Sequence, residues 1–587
     1  MPRSRLLFWV GQPPNYVALI GLGLIGAMAF GLRQPFYVNI LVLTLFYAAA
    51  SSAWNLIGGF AGQLSLGHTA FFGIGAYTST LLFLNTQLSP WLGMLVGGCL
   101  AAAFALLISY PCFRLRGPFF ALATIALAEV LRILSLYFRS LTKGGVGLVV
   151  PFRPSLWNFV FADKTTYAEV GCMFLMLMVL VAFLIKRSRI GYYLACLRDD
   201  HDAAEATGVN TARCKLFVML ISAFFTAVSG TFYTQYLAFI DPDIVFSMNF
   251  SIQLALLPII GGMGTIAGPI IGSFLLVPVD ALLRGWLGGF FAGISFLIYG
   301  ILLIVVVIYL PEGVLPWLRK KSGRLMAALP RISSTDELSA ADATLTPIPR
   351  TGAARQPGPL FEVENLSKAF GGLKAVDRVT FKIQSGEILS LIGPNGAGKT
   401  TVFNLISGFL KPDEGSIRFR GRDITALRPP SRIARQGIGR TFQIVKPFSN
   451  LTILENVMIG ALAAFPRPAE ARRRASETLG LVGLRRCRDA PVGSLPIGDR
   501  KRLELARAIA TGARLLLLDE VMGGLNPAEV SAMISLLKQI AQSGVTLLVI
   551  EHVMRAVMSL SDRVIVLEHG TIIAEGAPGD IGRNPRV

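Results

Sequence analysis

Charged residues are scarce in this 587-residue chain, at 15%, while hydrophobic residues make up 53%. Ordinary globular domains carry about 25% charged residues, so part of the chain must avoid water, and disorder or a collagen-like repeat is excluded. Negative charge is the scarcer sign: Asp and Glu number 35 against 55 Lys and Arg, for a net charge of +20. The excess is evenly divided, since 31 basic and 21 acidic residues lie from Phe361 onward and 24 and 14 before it. No aromatic-rich basic face stands out for nucleic acid, and in so apolar a chain the excess reads as Lys and Arg held on the cytoplasmic side of a bilayer. The six cysteines (Cys99, Cys112, Cys172, Cys196, Cys214, Cys487) form no C-x-x-C pair and have no metal-ligand spacing, which removes any disulfide framework. The first apolar stretch, Tyr16 to Leu32, lacks a small-residue cleavage site, so it reads as a retained span and not a signal peptide. At roughly 100–200 residues per domain, the length excludes a single domain.

What is present changes character along the chain. Up to about Leu318 the sequence is a series of apolar runs near the ~20 residues that cross a hydrocarbon core. Clear runs are Tyr37 to Ile57, Trp91 to Cys112, Phe119 to Phe138, Gly171 to Ile185, Leu216 to Leu237 and Ile294 to Leu310, with Gly-broken segments at Gly58 to Leu84 and Ile252 to Leu283. The expectation is an α-helical polytopic membrane domain over residues 1–325 with about 10 spans. An even count places the basic clusters Arg114 with Arg116, Lys186 to Arg189 with Arg198, Arg213 with Lys215, and Arg319 to Arg324 inside. Residues 326–359, rich in Pro, Ala, Ser and Thr, read as a flexible linker. From residue 360 to 587, β-rich runs (EILSLIG, RLLLLDE, VTLLVIEH) alternate with helical stretches, the pattern of a mostly parallel α/β domain.

The chemistry-bearing residues lie in that last segment. Gly393, Pro394, Asn395, Gly396, Ala397, Gly398, Lys399 and Thr400 fit G-x-x-x-x-G-K-[ST] between a strand and a helix, with Thr401 next in the helix. Glycines let backbone N–H groups close around phosphates, the helix N-terminus adds its dipole, Lys399 reaches the β- and γ-phosphates, and the Thr400 hydroxyl suits Mg²⁺. Downstream, four leucines end in Asp519 and Glu520, an acidic pair at the tip of a buried strand. Asp519 would hold Mg²⁺ through its waters, and Glu520 would polarise the attacking water.

With these motifs the segment from Leu360 onward resembles the ATP-binding cassette (ABC) proteins, which implies a P-loop nucleotide-binding domain using ATP and Mg²⁺. By that resemblance Gln443 in GRTFQ is the Q-loop glutamine and a further Mg²⁺ contact, Gly524-Leu525-Asn526 the D-loop, His552 the switch histidine, and Phe370 the aromatic that stacks on adenine. The signature segment reads Leu495, Pro496, Ile497, Gly498, Asp499 where L-S-G-G-Q is common, and Pro496 offers no hydroxyl. The membrane half, Tyr37 to Leu318, resembles the permeases of bacterial branched-chain amino-acid importers through Asn55 to His68, Gly75-Ala76-Tyr77 and Gly261 to Gly272. Its glycines suit either helix breaks along a pathway or tight helix packing. Polar groups at membrane depth mark Gln63, Ser65 and His68 as candidates for a translocation path. Asp202, Ala203 and Ala204 through Gly208 are similar to the E-A-A-x-x-x-G loop by which importer permeases dock on their ATPases, with Asp in place of the usual Glu.

The two resemblances together imply a fused permease and ATPase in the bacterial inner membrane, the cassette on the cytoplasmic side. They imply a second permease and a second ATPase, or a homodimer, and a periplasmic substrate-binding protein, with lipid around the spans and no nucleic acid. Branched-chain amino acids, urea, short amides and aromatic acids all stay open as cargo. An ABC exporter and a regulatory ABC ATPase stay open as other classes.

Overall fold

The computed structural model describes residues 34–287 except 114 and 116, scattered positions between 297 and 318, and residues 358–585. The runs Tyr16 to Leu32 and most of Ile294 to Leu310, the basic clusters at Arg114, Arg116 and Arg319 to Arg324, and nearly all of the 326–359 linker lie outside the described residues. Two compact units emerge, one from residues 1–187 and 212–336, the other from 188–211 and 337–587. The single division expected between a membrane domain and a cassette is therefore interrupted: residues 188–211 fold with the second unit.

The first unit is helical: α1 Pro35–Asn55, α2 Thr69–Thr86, α3 Pro90–Cys112, α4 Pro118–Tyr137, α5 Lys164–Arg187, α8 Thr211–Leu237, α9 Met248–Gly262 and α10 Gly268–Leu287. Among the described residues 7 helices are long and apolar enough to cross a membrane, against the ten expected for the whole chain. Gly58 to Leu84 is not one continuous crossing. Helix α1 ends in a π-helical turn, Leu56–Phe60, a loop follows, and α2 is a buried helix of 18 residues with Ser79 and Thr80 in its interior-facing set. Helix α1 is apolar on every side and almost wholly buried, as an all-round hydrophobic helix must be. Phe46 on α1 lies at the centre of an aromatic cluster, with Tyr233 at 5.0 Å and Phe72, Phe232 and Phe250 each at 6.1 Å between ring centroids.

The loop after the π turn lies where free backbone groups need protein partners. Trp54 Nε1 donates to the Ser65 carbonyl (2.6 Å), Leu66 N to Thr124 Oγ1 (3.1 Å), and Ser251 Oγ to the Leu66 carbonyl (2.5 Å). Asn55 bridges to the second Gly-rich segment, donating to Thr265 O (2.8 Å) and accepting from Gly264 N (3.0 Å). That segment combines both readings of its glycines: Gly262 and Gly264 turn the chain at φ of 128° and 75°. A Cβ on Gly272 of α10 would lie 1.9 Å from the Leu257 carbonyl of α9.

In the second unit a parallel sheet runs β10-β9-β3-β8-β7-β6, built from β3 Ile388–Ile392, β6 Ile438–Arg440, β7 Leu515–Asp519, β8 Thr546–Ile550 and β9 Arg563–Glu568, with β10 Thr571–Gly576 antiparallel at its edge. A smaller antiparallel sheet joins β1 Pro359–Phe370, β2 Leu373–Gln384, β4 Glu414–Phe419 and β5 Arg422–Asp423. Strands β3, β7 and β8 are buried at every residue, which explains their unbroken apolar runs. Helices α11 Lys399–Ile406, α12 Pro430–Gln436, α13 Ile453–Ala464, α14 Pro468–Leu481, α15 Ile497–Ala510, α16 Pro527–Gln542 and α17 Met554–Leu560 complete the unit, together with α6 Arg189–Asp199 and α7 His201–Ala206.

Gly272→Ala should destabilise the first unit by about 2 kcal/mol, because its methyl group meets backbone that cannot turn aside. The readout is the thermal midpoint of the purified chain in detergent, and an unchanged midpoint would refute so close an approach of α9 and α10.

Candidate nucleotide site and docking segment

The phosphate-binding loop runs from the end of β3 to the start of α11. Gly393 and Gly398 hold φ of 149° and 99°, and a Cβ on either would strike a carbonyl, of Leu567 at 2.0 Å and Ala375 at 2.3 Å. Gly396, at φ 84°, has nothing within 4 Å of where a Cβ would stand, so the loop is packed behind and bare in front. Pro394, Asn395 and Thr400 are exposed, Ala397 is buried, and Thr401 is half-buried. Lys399 Nζ donates to the Gly393 and Pro394 carbonyls at 2.6 and 2.8 Å, curling over the loop. Burial lowers the affinity of its amine for a proton, and the charges of Glu520 and Asp519 oppose that shift.

Two strands away, β7 ends in Asp519, which is 4% exposed. Burial raises its pKa above the usual carboxylate value, against the pull of Arg440. Glu520 follows in a left-handed backbone conformation, φ 48°, uncommon for a residue with a side chain. Gln443 Nε2 donates to Glu520 Oε2 at 2.8 Å, and His552 Nδ1 stands 3.8 Å from the same oxygen, beyond hydrogen-bond length. Gln443 and His552, from separate loops, thus converge on the Glu520 carboxylate. Phe370 lies half exposed at the end of β1, with Lys368 Nζ 5.8 Å from its ring centre. The bare glycine face, the curled lysine, and the oxygens of Thr400, Gln443 and Asp519 suit a triphosphate and a hard divalent cation such as Mg²⁺.

In the signature segment Leu495 is buried in the core and Ile497 is exposed. Pro496 is the N-cap of α15 and makes no side-chain cap bond, while Asp499 faces Arg502 at 3.6 Å. A Cβ on Gly498 would meet Glu529 Oε1 at 2.8 Å. No hydrogen bond or ion pair among the described residues joins 495–499 to the phosphate loop of the same chain. Asn526 of the D-loop caps α16 through a reciprocal bond pair with Glu529.

Several buried charges escaped sequence reasoning. Arg440, at the end of β6, donates to Asn404 Oδ1 of α11 and to Oγ of Ser407, the C-cap of that helix, both at 2.7 Å, and stands 3.8 Å from Asp519 Oδ2 with the rings of Phe409 and Phe442 beside it. Burial pushes its pKa down to about 10. Arg440 is thus shifted down and Asp519 up, so for both groups desolvation outweighs their mutual attraction. Lys501 Nζ donates to the carbonyls of Glu520 (2.9 Å) and Gly523 (2.6 Å), fixing the turn that carries the acidic pair. Glu504 and Arg507 are paired at 3.4 Å inside the core, where burial raises the Glu504 pKa to about 7. The available signal was the spacing of 501, 504 and 507 on a helix whose neighbours are apolar: one buried face carries all three charges.

Residues 188–211 carry the docking-like sequence. Asp200 caps α7, accepting from Ala203 N at 2.7 Å, and Ala203 and Ala204 are fully buried. Helix α7 lies against α12. Gly208, at φ 88°, offers its carbonyl to Arg435 Nε (2.9 Å), and a Cβ there would come within 3.1 Å of Ala463 Cβ. Tyr193 donates to Leu462 O (3.2 Å), Asn450 Nδ2 to Asp199 (2.6 Å), and Lys446 pairs with Asp200 (2.9 Å). Asp202 is half-buried. In the first unit, Gln63 is partly exposed, whereas Ser65 and His68 are wholly buried. His68 Nδ1 meets Ser65 Oγ at 2.8 Å and Nε2 meets Ser222 Oγ at 2.9 Å.

This arrangement defines an ATP-hydrolysing cassette. Residues 376–523 match the family described as ABC transporter, and residues 36–307 match the one described as Branched-chain amino acid transport system / permease component. Over 245 residues the chain is 40% identical to the high-affinity branched-chain amino acid transport ATP-binding protein BraF of Pseudomonas aeruginosa, covering 39% of this chain and 96% of that protein. It is 42% identical over 245 residues to the corresponding protein LivG of Salmonella typhimurium, with the same coverage. A solved nucleotide-free ATP-binding cassette from an ABC transporter is 32% identical, covering 39% of this chain and 97% of that one, with a TM-score of 0.37. The chain belongs to the ABC transporter family, as a permease domain fused to an ATPase domain.

Arg440→Met should cost on the order of 3 kcal/mol, because it removes the ion-pair partner of the buried Asp519 carboxylate. A thermal midpoint equal to that of the unmodified chain would show that Asp519 does not depend on Arg440.

Proposed function

We propose that this chain is the combined permease and ATPase subunit of an importer for branched-chain amino acids or related small polar solutes, seated in the bacterial inner membrane with the cassette in the cytoplasm. The observation that carries the reading is the position of residues 188–211: they lie inside the stretch that matches the permease family, and they fold as part of the cassette's compact unit. Transport and hydrolysis then share a mechanical part. The family descriptions and the curated relatives, named for branched-chain amino acid transport, support the solute class.

In this reading the loop N–H groups of Gly393 to Thr400 and the Lys399 ammonium bind the β- and γ-phosphates, and Phe370 stacks on the adenine. Thr400, Asp519 and Gln443 would hold Mg²⁺, which would supply neutralising positive charge to the phosphates. Glu520 accepts a hydrogen bond from water aimed at the γ-phosphorus. As the water oxygen bonds to phosphorus its proton passes to the Glu520 carboxylate, the bond to the bridging oxygen breaks and ADP leaves with that electron pair. Gln443 orients the Glu520 carboxylate, and His552 turns toward the γ-phosphate. Leu495 to Asp499 serve the phosphates of a facing cassette, which requires a second ATPase subunit, related or identical, and with it a second permease. A periplasmic binding protein delivers the solute. Closure of the cassette pair moves Asp202, Ala203, Ala204 and Gly208, and through them the spans.

The test is ATPase activity in lipid nanodiscs, with and without the separately encoded subunits and a leucine-loaded binding protein. Stimulation by the loaded binding protein is expected, and its absence with every candidate solute would overturn import. Glu520→Gln should keep ATP binding and reduce turnover by about 10²–10⁴-fold, since the amide cannot take a proton from water. Retained hydrolysis would remove that role from Glu520. Replacing residues 202–208 with a Gly/Ser segment should leave basal hydrolysis and abolish uptake. Undiminished uptake would sink docking there.

A further inference from the structure

The turn that carries Glu520 is held by the tip of β8 and by two buried side chains of opposite charge. Glu520 N donates to the Ile550 carbonyl at 2.9 Å, and Glu551, the next residue of that strand tip, accepts from Met522 N through Oε1 at 2.7 Å. From α15, Lys501 Nζ donates to the Glu520 and Gly523 carbonyls at 2.9 and 2.6 Å. An acid on an N–H and a cation on two carbonyls thus grip residues 520–523, with Val521 and Met522 buried in the core. Glu520 itself keeps φ 48°, a conformation that costs a residue with a side chain about 1–3 kcal/mol and persists only where its surroundings over-determine it.

Glu551 holds the Met522 N–H at a cost. It is 2% exposed, and its Oε2 is buried with no hydrogen-bond partner among the described residues. Burial raises its pKa above the usual carboxylate value, opposed first by the bond from Met522. A buried polar atom left unmet is rare enough in native proteins to call for a reason, and none of the roles proposed for the nucleotide site uses Glu551.

We propose that Glu551 is a positioning residue for hydrolysis: with Lys501 it locks the 520–523 turn, and with it the left-handed backbone that aims the Glu520 carboxylate. The inference rests on the role proposed above for Glu520, and it adds a residue outside the phosphate loop, the acidic pair and the switch histidine. On the other side of the turn stands His552, whose Cε1 would lie 3.6 Å from a Cβ on Gly523. With the Met522 N–H released, the turn relaxes and the Glu520 carboxylate leaves its line to the attacking water. The phosphate loop keeps all its contacts, so ATP binding is untouched.

Two substitutions separate the hydrogen bond from packing. Glu551→Leu keeps the bulk and removes the acceptor, whereas Glu551→Gln keeps the shape and an oxygen for Met522 N. In the full chain with its partner subunits in nanodiscs, Glu551→Leu should lower kcat at least about tenfold and leave KM for ATP within about twofold, because misplacing a catalytic group by ~1 Å already costs up to ~10² in rate. Glu551→Gln should keep kcat within about threefold, since a neutral oxygen still meets the N–H. If Glu551→Leu does not fold, Lys501→Met removes the other half of the grip and should show the same split. Single-turnover hydrolysis in the Glu520→Gln background reads what a merely structural residue would not give: adding Glu551→Leu should change the residual rate by less than about twofold, as residues acting as a unit are not additive. Unchanged kcat in Glu551→Leu, an equal fall in Glu551→Gln, a KM that rises in step with the loss, or a further fall in the Glu520→Gln background would each overturn the proposal. If Glu520→Gln abolishes hydrolysis while Glu551→Leu does not, only the positioning role falls. If Glu520→Gln retains hydrolysis, the role of Glu520 falls first and this one with it.

Discussion

A charge removed from water must be met by another charge or by well-aimed dipoles, and in the cassette this constraint links segments that are far apart in sequence. Arg440 is the clearest case. Its guanidinium binds the helix after the phosphate loop through Asn404 and Ser407, and it faces the strand tip at Asp519. Lys501 does the same between the signature helix and the turn after Glu520. The helix after the phosphate loop, the strand tip at Asp519 and the turn after Glu520 are thus held in place by buried cations, which reduces the ordering left for a ligand to impose.

The helical unit meets the same constraint with neutral groups. Its chain breaks twice at glycine-rich segments, and the freed backbone groups are taken up by Trp54, Thr124, Ser251 and Asn55. Small residues at the breaks allow the approach, and single polar side chains bridge it. Asn55 joins the two breaks to each other, so the segments most like those of importer permeases form one structural feature and not two.

The sequence shows the phosphate loop and the acidic strand tip because each is a local pattern with a fixed spacing, legible without knowing the fold. It shows the long spans for the same reason. It hints at docking by 202–208 only through resemblance and does not show that the whole of 188–211 folds with the cassette unit, since an amphipathic helix and a capped short turn read alike on any surface. Nor does it show Arg440 or the Glu504–Arg507 pair, whose partners lie on other strands and helices. At Gly58 to Leu84, read from the sequence as Gly-broken, the break has a physical form: a π turn and a loop precede α2, and the backbone there must satisfy each of its hydrogen bonds individually.

The buried row Ser65–His68–Ser222 has a direction. Ser222 Oγ gives its only proton to the Ala53 carbonyl at 2.7 Å, so it must accept from His68 Nε2–H, and His68 Nδ1 must in turn accept from the Ser65 hydroxyl. The row ends at an amide oxygen, which has no proton of its own to pass onward. The three side chains thus form a hydrogen-bonded strut that ties the loop before α2 to α8 and, through the Ala53 carbonyl, to α1.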